Sequence, residues 1–438
     1  MPLKIIVVGA GLAGLGAAIA LNRQGHDIEI LEQSGFLNEV GAAIHMAPNA
    51  TRILKDWGCN LENLQPVHCN KLRLWDHQGN LIRTPVVTKD AQEALGIYDE
   101  WLLTHRVDLH NTLRDMAAKE VNGKKPAIHL RSRVASVDPE AGVVTLEDGT
   151  KFTGDLIIGA DGIHSRCVSS VIGGPTQKES TGQNCFRFLI PVSKMKSNPL
   201  TASLLEKMGS DAVDVFASED RRLVVYPCRH GDLLNVAAIH PSGADSSARE
   251  SSWLDSGNLD SLLETCSAFS PELREMCRLA EDLKLWSLAS RSPPRTFIRG
   301  KLALIGDAAH PTLPRKLLCD CYKLVAASIA NHAHDLDQGQ GGAQSFEDGA
   351  ALGALFTPEC TKDDIPGRLE LYNKVRYGRS VTVMMMSKVS DDRRGQMLDE
   401  LRTYVPDAEL PPDMFSYTWS SYPGREAQQL LQATQVSA

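Results

Sequence analysis

The sequence predicts an α/β protein in which a Rossmann-like parallel-sheet domain is interleaved with a mixed β-sheet domain and followed by a helical C-terminus. Three observations predict it. The chain opens on a β-rich run at 4–8, a glycine turn and helix in VVGAGLAGLGAA at 7–18, and a second β-rich run at 27–31. Two distant segments, GDLIIGADGIHSR at 154–166 and GKLALIGDAAHPTLP at 300–314, read with the first as parts of one site. Short strand-like runs at 185–192, 213–217, 222–227 and 233–239, separated by turns, describe a mixed sheet.

Size and composition bound the answer. At 438 residues the chain exceeds the usual size of one compact core, so one large or two interleaved domains are expected. A hydrophobic fraction of 42% with 23% charged residues excludes a disordered or fibrous chain. The net charge of −8, with no basic block, argues against a nucleic-acid partner. The apolar start is punctuated by glycines and reads as strand, turn and helix instead of a signal peptide, and no run is long enough to span a bilayer. Ten cysteines without a framework spacing point to reduced thiols and a cytoplasmic setting.

Each element has its reason. In the first β-α-β unit Gly9 allows a tight turn, Gly11 lets the backbone approach a pyrophosphate, and Gly14 lets helix and strand pack closely. The helix, expected over 15–24, offers unpaired N–H groups and partial positive charge to phosphates. Glu32, ending the second strand, is placed to accept hydrogen bonds from a ribose. Residues 40–58 read as a glycine loop leading into a helix, and 101–113 as a second helix carrying HRVDLHNTL. Alternation between 128 and 153 reads as β-hairpins feeding the strand at 155–158. Residues 260–280 and 366–404 read as mainly helical, and the last 25 as irregular.

On these motifs the chain resembles the single-component group A flavoprotein monooxygenases, the family of para-hydroxybenzoate and salicylate hydroxylases, over nearly its whole length. The resemblance implies an FAD-binding domain of the glutathione-reductase type at 1–70, 100–175 and 295–365. It implies a substrate-binding sheet at 71–99 and 176–294, and a C-terminal helical region at 366–438. Carried over by motif, Gly9, Gly11, Gly14 and Glu32 would hold the adenosine half of FAD, Ala43 would sit near the ribose or pyrophosphate, and Arg106 would contact the phosphates. Asp161, in the DG motif, would serve FAD and the reducing nicotinamide; Asp307 of GDAAHP would bind the ribityl chain, and Gly342 of GQGGAQ would present its backbone N–H to the flavin ring.

The implied activity is hydroxylation of a phenolic or aromatic acid or polyketide, with NAD(P)H and O2 as cosubstrates and a flavin C4a-hydroperoxide as oxidant. A monomer or homodimer fits it. A phenol becomes a strong nucleophile only on losing its proton, so a base or cation is expected near the substrate oxygen. Arg187, Tyr226 and His45 are the candidates, and the resemblance aligns Arg187 and Tyr226 with positions that bind or activate a phenolate. Each has a plainer alternative: Tyr226 as core with its hydroxyl satisfied, Arg187 paired to an acid at the domain boundary, His45 as a packed residue with one hydrogen bond. His310 reads as a supporting residue, and Trp286 as closing the apolar face of the sheet.

One segment breaks the pattern. Between Pro314 and Gly339 stand 24 residues where the family has a much shorter link. Their CxC and HxH spacings match no folded zinc module, so no metal site is expected. Arg315-Lys316, Ala330-Asn331 and Leu336-Asp337 can be encoded as a splice donor, branch site and acceptor in that order, so 315–337 reads as a short intron translated in frame. Removing it restores LPHQGQGGAQ. Two other readings stay open: a catalytically impaired FAD-binding protein, for which the insert argues, and a related flavin epoxidase.

Overall fold

The computed structural model describes residues 1–35, 42–177, 179–242, 257–313, 339–389 and 394–437. The insert at 315–337, with its CxC and HxH spacings, lies outside the described residues, as does Pro314. Among the described residues no group of His, Cys, Asp and Glu could hold a metal ion. No described helix is long and apolar enough to cross a membrane.

The three motif segments become neighbouring strands. In the six-stranded sheet Lys4–Val8 (β1) lies between Leu156–Gly159 and Asp27–Leu31 (β2), and Leu302–Leu304 follows on the far side of Leu156–Gly159. These pairings are parallel, with Ile5 opposite Leu156 and Ile157 opposite Leu302. Ile5, Ile6, Val7, Leu156, Ile157 and Ile158 are all fully buried, as strands covered on both faces must be. Parallel strands end at one edge, so the turns after Val8, Gly159 and Leu304 meet there, where open α/β sheets bind their ligands.

Helix Leu12–Asn22 (α1) is buried along its whole length. It lies parallel to helix Gln340–Leu355: a Cβ at Gly349 would stand 3.2 Å from the Ala17 nitrogen, and one at Gly353 would stand 3.1 Å from the Ala20 Cβ. Only side chains this small allow two backbones so close. The consequence is electrostatic, because both helix N-termini point their free N–H groups and partial positive charge toward the same edge of the sheet.

The mixed sheet has seven strands in the order Glu281–Ser290, Glu179–Pro191, Leu233–Pro241, Arg222–Cys228, Ala212–Ala217, Lys71–Asp76, Leu81–Val87. Every pairing is antiparallel except Ala212–Ala217 with Lys71–Asp76. Side chains alternate between faces. Phe186, Phe188, Val225 and Val236 pack with Leu204, Leu262, Leu273 and Met276. Cys185, Val224, Tyr226 and Ile239 face the other way, toward Ala43, Trp101, Leu103 and Trp419.

Three expectations are corrected. The helix after Gly11 begins at Leu12 and not at 15, because the glycine itself is the N-cap. Residues 102–105 form a strand that pairs with Ala43–Met46, and the helix starts only at Arg106. The last 25 residues are helical at Met414–Trp419 and Pro423–Ser437. The second of these buries Ala427 and Leu431, one turn apart on one face, and is held by packing that a short local reading does not reveal.

Candidate active site

The turn after β1 assigns its glycines separate tasks. Gly9 has φ +101°, and a Cβ there would stand 2.5 Å from the Ala160 carbonyl oxygen of the neighbouring strand. A Cβ at Gly14 would collide with the Gly9 carbonyl oxygen, so this glycine lets α1 press onto the turn. Gly11 meets nothing within 4 Å: its outer side is the open one. Glu32 fixes the turn, accepting the Ala10 N–H at 2.8 Å and the Ser34 N–H at 2.7 Å. His110 holds the same turn through its Nε2 and the Ala10 carbonyl, 2.8 Å apart. It was not singled out above, although it sits four residues after Arg106 on one helix, the spacing that places two side chains together.

Asp307 follows Leu302–Leu304 at the same edge. Its side chain is exposed, yet the protein packed around it desolvates the carboxyl and raises it above the ordinary value against the pull of His310, Arg106 and Arg291. Its carboxylate accepts no hydrogen bond from a described residue, and Arg106, beginning helix Arg106–Ala117, acts on it only through space. Arg291 is a further residue the motifs did not single out. It is 3% exposed, donates from Nη2 to the carbonyls of Asp307 at 3.2 Å and Ala308 at 2.6 Å, and leaves buried Nε and Nη1 without a partner among the described residues.

Below the groove lies a buried charge network. Arg376, fully buried, donates to Glu347 at 2.6 Å and to Asp348 at 2.8 Å, and Arg379 reaches Glu347 at 2.8 Å. Asp348 also accepts the Gly306 N–H at 2.8 Å and lies 2.7 Å from His310 Nε2. His310 is thus a supporting residue, as expected. Burial alone would raise the Asp348 carboxyl, but His310 and Arg376 outweigh it and hold it below the ordinary value. The network ties the GDAAH turn to helix Gln340–Leu355, whose first turn holds Gly342. A Cβ at Gly342 would stand 2.9 Å from Met46 Cε, so the helix packs closely on the strand Ala43–Met46 (β3) at this glycine.

Two of the expected cofactor residues also make contacts within the protein. Asp161 stands at the expected strand end, but its carboxylate accepts Ser165 Oγ–H at 2.6 Å and the N–H groups of Arg166 and Cys167 at 2.6 and 3.1 Å. It fastens its own turn at the start of helix Cys167–Ile172. Ala43 sits where the mixed sheet meets the strand Ala43–Met46. Its N–H donates to Asn235 Oδ1 at 3.0 Å, and its carbonyl accepts the Tyr226 hydroxyl at 2.8 Å.

In that bond the Tyr226 hydroxyl donates to backbone, which matches its plainer alternative of a core tyrosine with a satisfied hydroxyl. His45 lies between Trp101, whose ring is tilted against it, and Tyr226, which meets it edge-on, each ring centroid 5.9 Å away, and its Nδ1 accepts the Trp101 Nε1–H at 3.2 Å. A Cβ at Gly339, where φ is +57°, would run into the His45 ring. His45 therefore borders the helix that carries Gly342. Arg187 has no acid partner among the described residues; its guanidinium lies over Trp286, 4.6 Å from the ring centroid. A cavity of about 170 Å³ lined by Gln183, Leu288, Leu313 and Lys388 sits at the end of this sheet face and holds none of the candidate residues.

Residues 3–316 match the FAD binding domain family. The chain is 33% identical to the FAD-dependent monooxygenase cfoG of Aspergillus candidus over 93% of this chain and 90% of that protein. It is 31% identical to hispidin-3-hydroxylase of Neonothopanus nambi over 95% and 94%. Among solved structures, CtdE in complex with FAD and a substrate superposes with a TM-score of 0.76 at 20% identity, covering 100% of both chains. A salicylate hydroxylase substrate complex gives 0.71 at 21% identity, covering 98% and 97%. Two parallel helix N-termini, an unengaged aspartate and an arginine suit a long anionic dinucleotide, and with these likenesses the chain belongs to the FAD binding domain family as an FAD-dependent monooxygenase.

Proposed function

We propose that this protein hydroxylates a phenolic or aromatic acid substrate with NAD(P)H and O2, in the cytoplasm. The single observation that carries the reading is the facing of two surfaces. Ala43, Ala47, Trp101 and Leu103 pack on the mixed-sheet face of Cys185 and Tyr226, and strand alternation puts Arg187 over Trp286 on that same face, a cation and an aromatic floor suited to an electron-rich ring. Among relatives, hispidin-3-hydroxylase and the 3-hydroxybenzoate 6-hydroxylase of Polaromonas naphthalenivorans are named for hydroxylating such compounds.

The chain's own residues divide the work. Gly11 and the N-terminus of α1 receive the pyrophosphate, Glu32 the adenosine ribose, Arg106 the phosphates, Asp307 the ribityl hydroxyls and the Gly342 N–H the flavin ring. Bound FAD, once reduced, supplies activated oxygen. Arg187 holds the substrate oxygen as its anion, which raises the electron density of the ring. His45 lines the junction, and Tyr226 with Asn235 keeps the two domains in register so that water is excluded.

The test is direct. Purified protein carries stoichiometric yellow flavin, and a phenolic acid triggers oxidation of NAD(P)H, equal oxygen uptake and a product heavier by one oxygen atom. Reductant oxidation that no aromatic compound stimulates, or an epoxide formed from an alkene, overturns the reading.

A further inference from the structure

The outer edge of the mixed sheet holds two cations where strand pairing disfavours them. Arg187 stands directly opposite Lys284 in the antiparallel pair formed by Glu179–Pro191 and Glu281–Ser290. Like charges so placed are destabilising. Opposed residues share a face, and the next pair on that face is Cys185 with Trp286, of which Cys185 belongs to the cluster of Ala43, Trp101 and Tyr226. Arg187 and Lys284 therefore stand on the face turned toward the nucleotide groove, both half-buried.

No described carboxylate neutralises them. Glu281, at one end of the strand, is paired with Lys194. Glu179, at the other end of the sheet edge, accepts from Ser292 at 2.6 Å and lies 3.9 Å from Lys388. The buried Arg187 Nε has no hydrogen-bond partner among the described residues. Two contacts between sheet and groove bracket the pair: the Tyr226 hydroxyl on Ala43 at one side, and Leu288 with Leu313 around one cavity at the other. Leu313 follows Thr312, whose Oγ1 lies 2.9 Å from where a Cβ of Gly341 would stand. A ring held between these brackets presents its substituents to both cations.

We propose that Lys284 is a specificity-determining residue which, with Arg187, binds an anionic oxygen of the aromatic substrate, a carboxylate or an acidic enol. This rests on the hydroxylase reading and narrows its substrate class to anions. Arg187 supplies a planar fork fixed over Trp286, and Lys284 a compact charge on a flexible stem that follows the oxygen. Neutral phenols and alkenes satisfy neither.

The test titrates the flavin-loaded enzyme with 3-hydroxybenzoate against its methyl ester, and with 4-hydroxy-6-methyl-2-pyrone against its 4-methyl ether, following the visible flavin spectrum. The first pair reads a carboxylate, the second an enol. The wild-type enzyme binds at least one anion more tightly than its methylated partner. In Lys284→Met that anion binds on the order of tenfold more weakly, as loss of one charge-assisted bond implies, while the methylated compound is unaffected; Lys284→Arg restores the preference. No wild-type preference in either pair overturns the proposal, as does a preference that survives Lys284→Met. If that variant loses its flavin, the wild-type comparison and its weakening by salt still decide. Oxygen uptake in the same samples once NAD(P)H is added separates the two readings: anion selectivity without turnover sinks the hydroxylase reading alone, and turnover without anion selectivity sinks the role of Lys284 alone.

Discussion

The hydroxyl of Tyr226 donates to the carbonyl of Ala43 at 2.8 Å, so a side chain of the mixed sheet grips the backbone of the nucleotide-binding half. Asn235, paired with Tyr226 across the strands, accepts the N–H of the same alanine. Both polar groups of one residue are thus held from the opposite domain. Tyr226→Phe removes one buried hydrogen bond and leaves the Ala43 carbonyl unsatisfied, a loss of about 1–3 kcal/mol in stability. A thermal melt reads that cost. The pH profile of kcat keeps its shape, because the phenol is a tie and not the proton relay; a fall of kcat by about a hundredfold with loss of a pH limb would return Tyr226 to acid-base work.

The glycine turn separates folding from binding. Gly14→Ala forces a Cβ into the Gly9 carbonyl, so α1 moves away from β1 and the protein loses both stability and flavin. Gly11→Ala meets open space on the protein side. The apoprotein of this variant melts close to wild type while its affinity for FAD falls, because the methyl group stands where the pyrophosphate approaches. Melting curves of apoprotein and the ratio of visible to ultraviolet absorbance after reconstitution distinguish the two.

Asp307 gives the apoprotein a defined pH dependence. Its folded carboxyl sits above the ordinary value because of burial, so the folded state binds protons more readily than the unfolded chain. The apoprotein accordingly loses stability as pH rises from the ordinary carboxylate range through the raised folded value. Asp307→Asn abolishes that loss, and its apoprotein melts higher than wild type above the window. Its affinity for FAD drops, since an amide is a poorer acceptor for the ribityl hydroxyls than a carboxylate. A variant whose melting follows the wild-type pH curve contradicts the assignment.

The network under the groove is costly to break from one side. Arg376→Met removes the counter-charge that Glu347 and Asp348 share, leaving only Arg379 and His310 beside them, which costs about 3–5 kcal/mol. Both carboxyls are held below the ordinary value, Asp348 by His310 and Arg376 and Glu347 by Arg379 and Arg376, each against burial. Their stabilising effect is present above the unfolded carboxylate value and fades as pH falls through the lower folded one. The wild-type protein therefore loses stability on acidification through that range, and Arg376→Met flattens the slope; denaturant unfolding at several pH values measures it.

What was legible in the chain was local. Gly9, Gly11, Gly14, Glu32 and Asp307 each belong to a strand end with its own turn chemistry, and turn chemistry is written within a few residues. Arg376 could not be read this way, since it looks like one more arginine on a long helix until Asp348, from another helix, is packed against it. Arg187 and Lys284 meet only through strand register across nearly a hundred residues. The bond between Tyr226 and Ala43 was hidden for the same reason: the partner of the hydroxyl comes from a distant strand, and an aromatic before a proline reads equally as core or as catalyst. Asp161 shows the reverse case, a motif residue whose carboxylate is also engaged by its own turn, within a few residues in sequence.

The interrupted segment tests the architecture as a whole. Residues on either side of 314–338 are already together: Leu313 follows Thr312, and Thr312 Oγ1 stands 2.9 Å from where a Cβ of Gly341 would be. A link of a few residues closes that gap. A loop longer by about three doublings costs only about 2 kcal/mol in closure entropy, so the long chain folds. Its flank, however, carries the first turn of helix Gln340–Leu355, and displacement there disturbs the N–H of Gly342 more than it disturbs the core. A chain in which a single histidine joins Pro314 to Gln338 is expected to bind FAD more tightly than the full-length form and to turn over faster. Flavin titration and oxygen uptake on the two proteins side by side check this. Sequencing of the transcript checks the origin of the segment, and equal affinity and turnover in both forms would show that the insert belongs to the working enzyme.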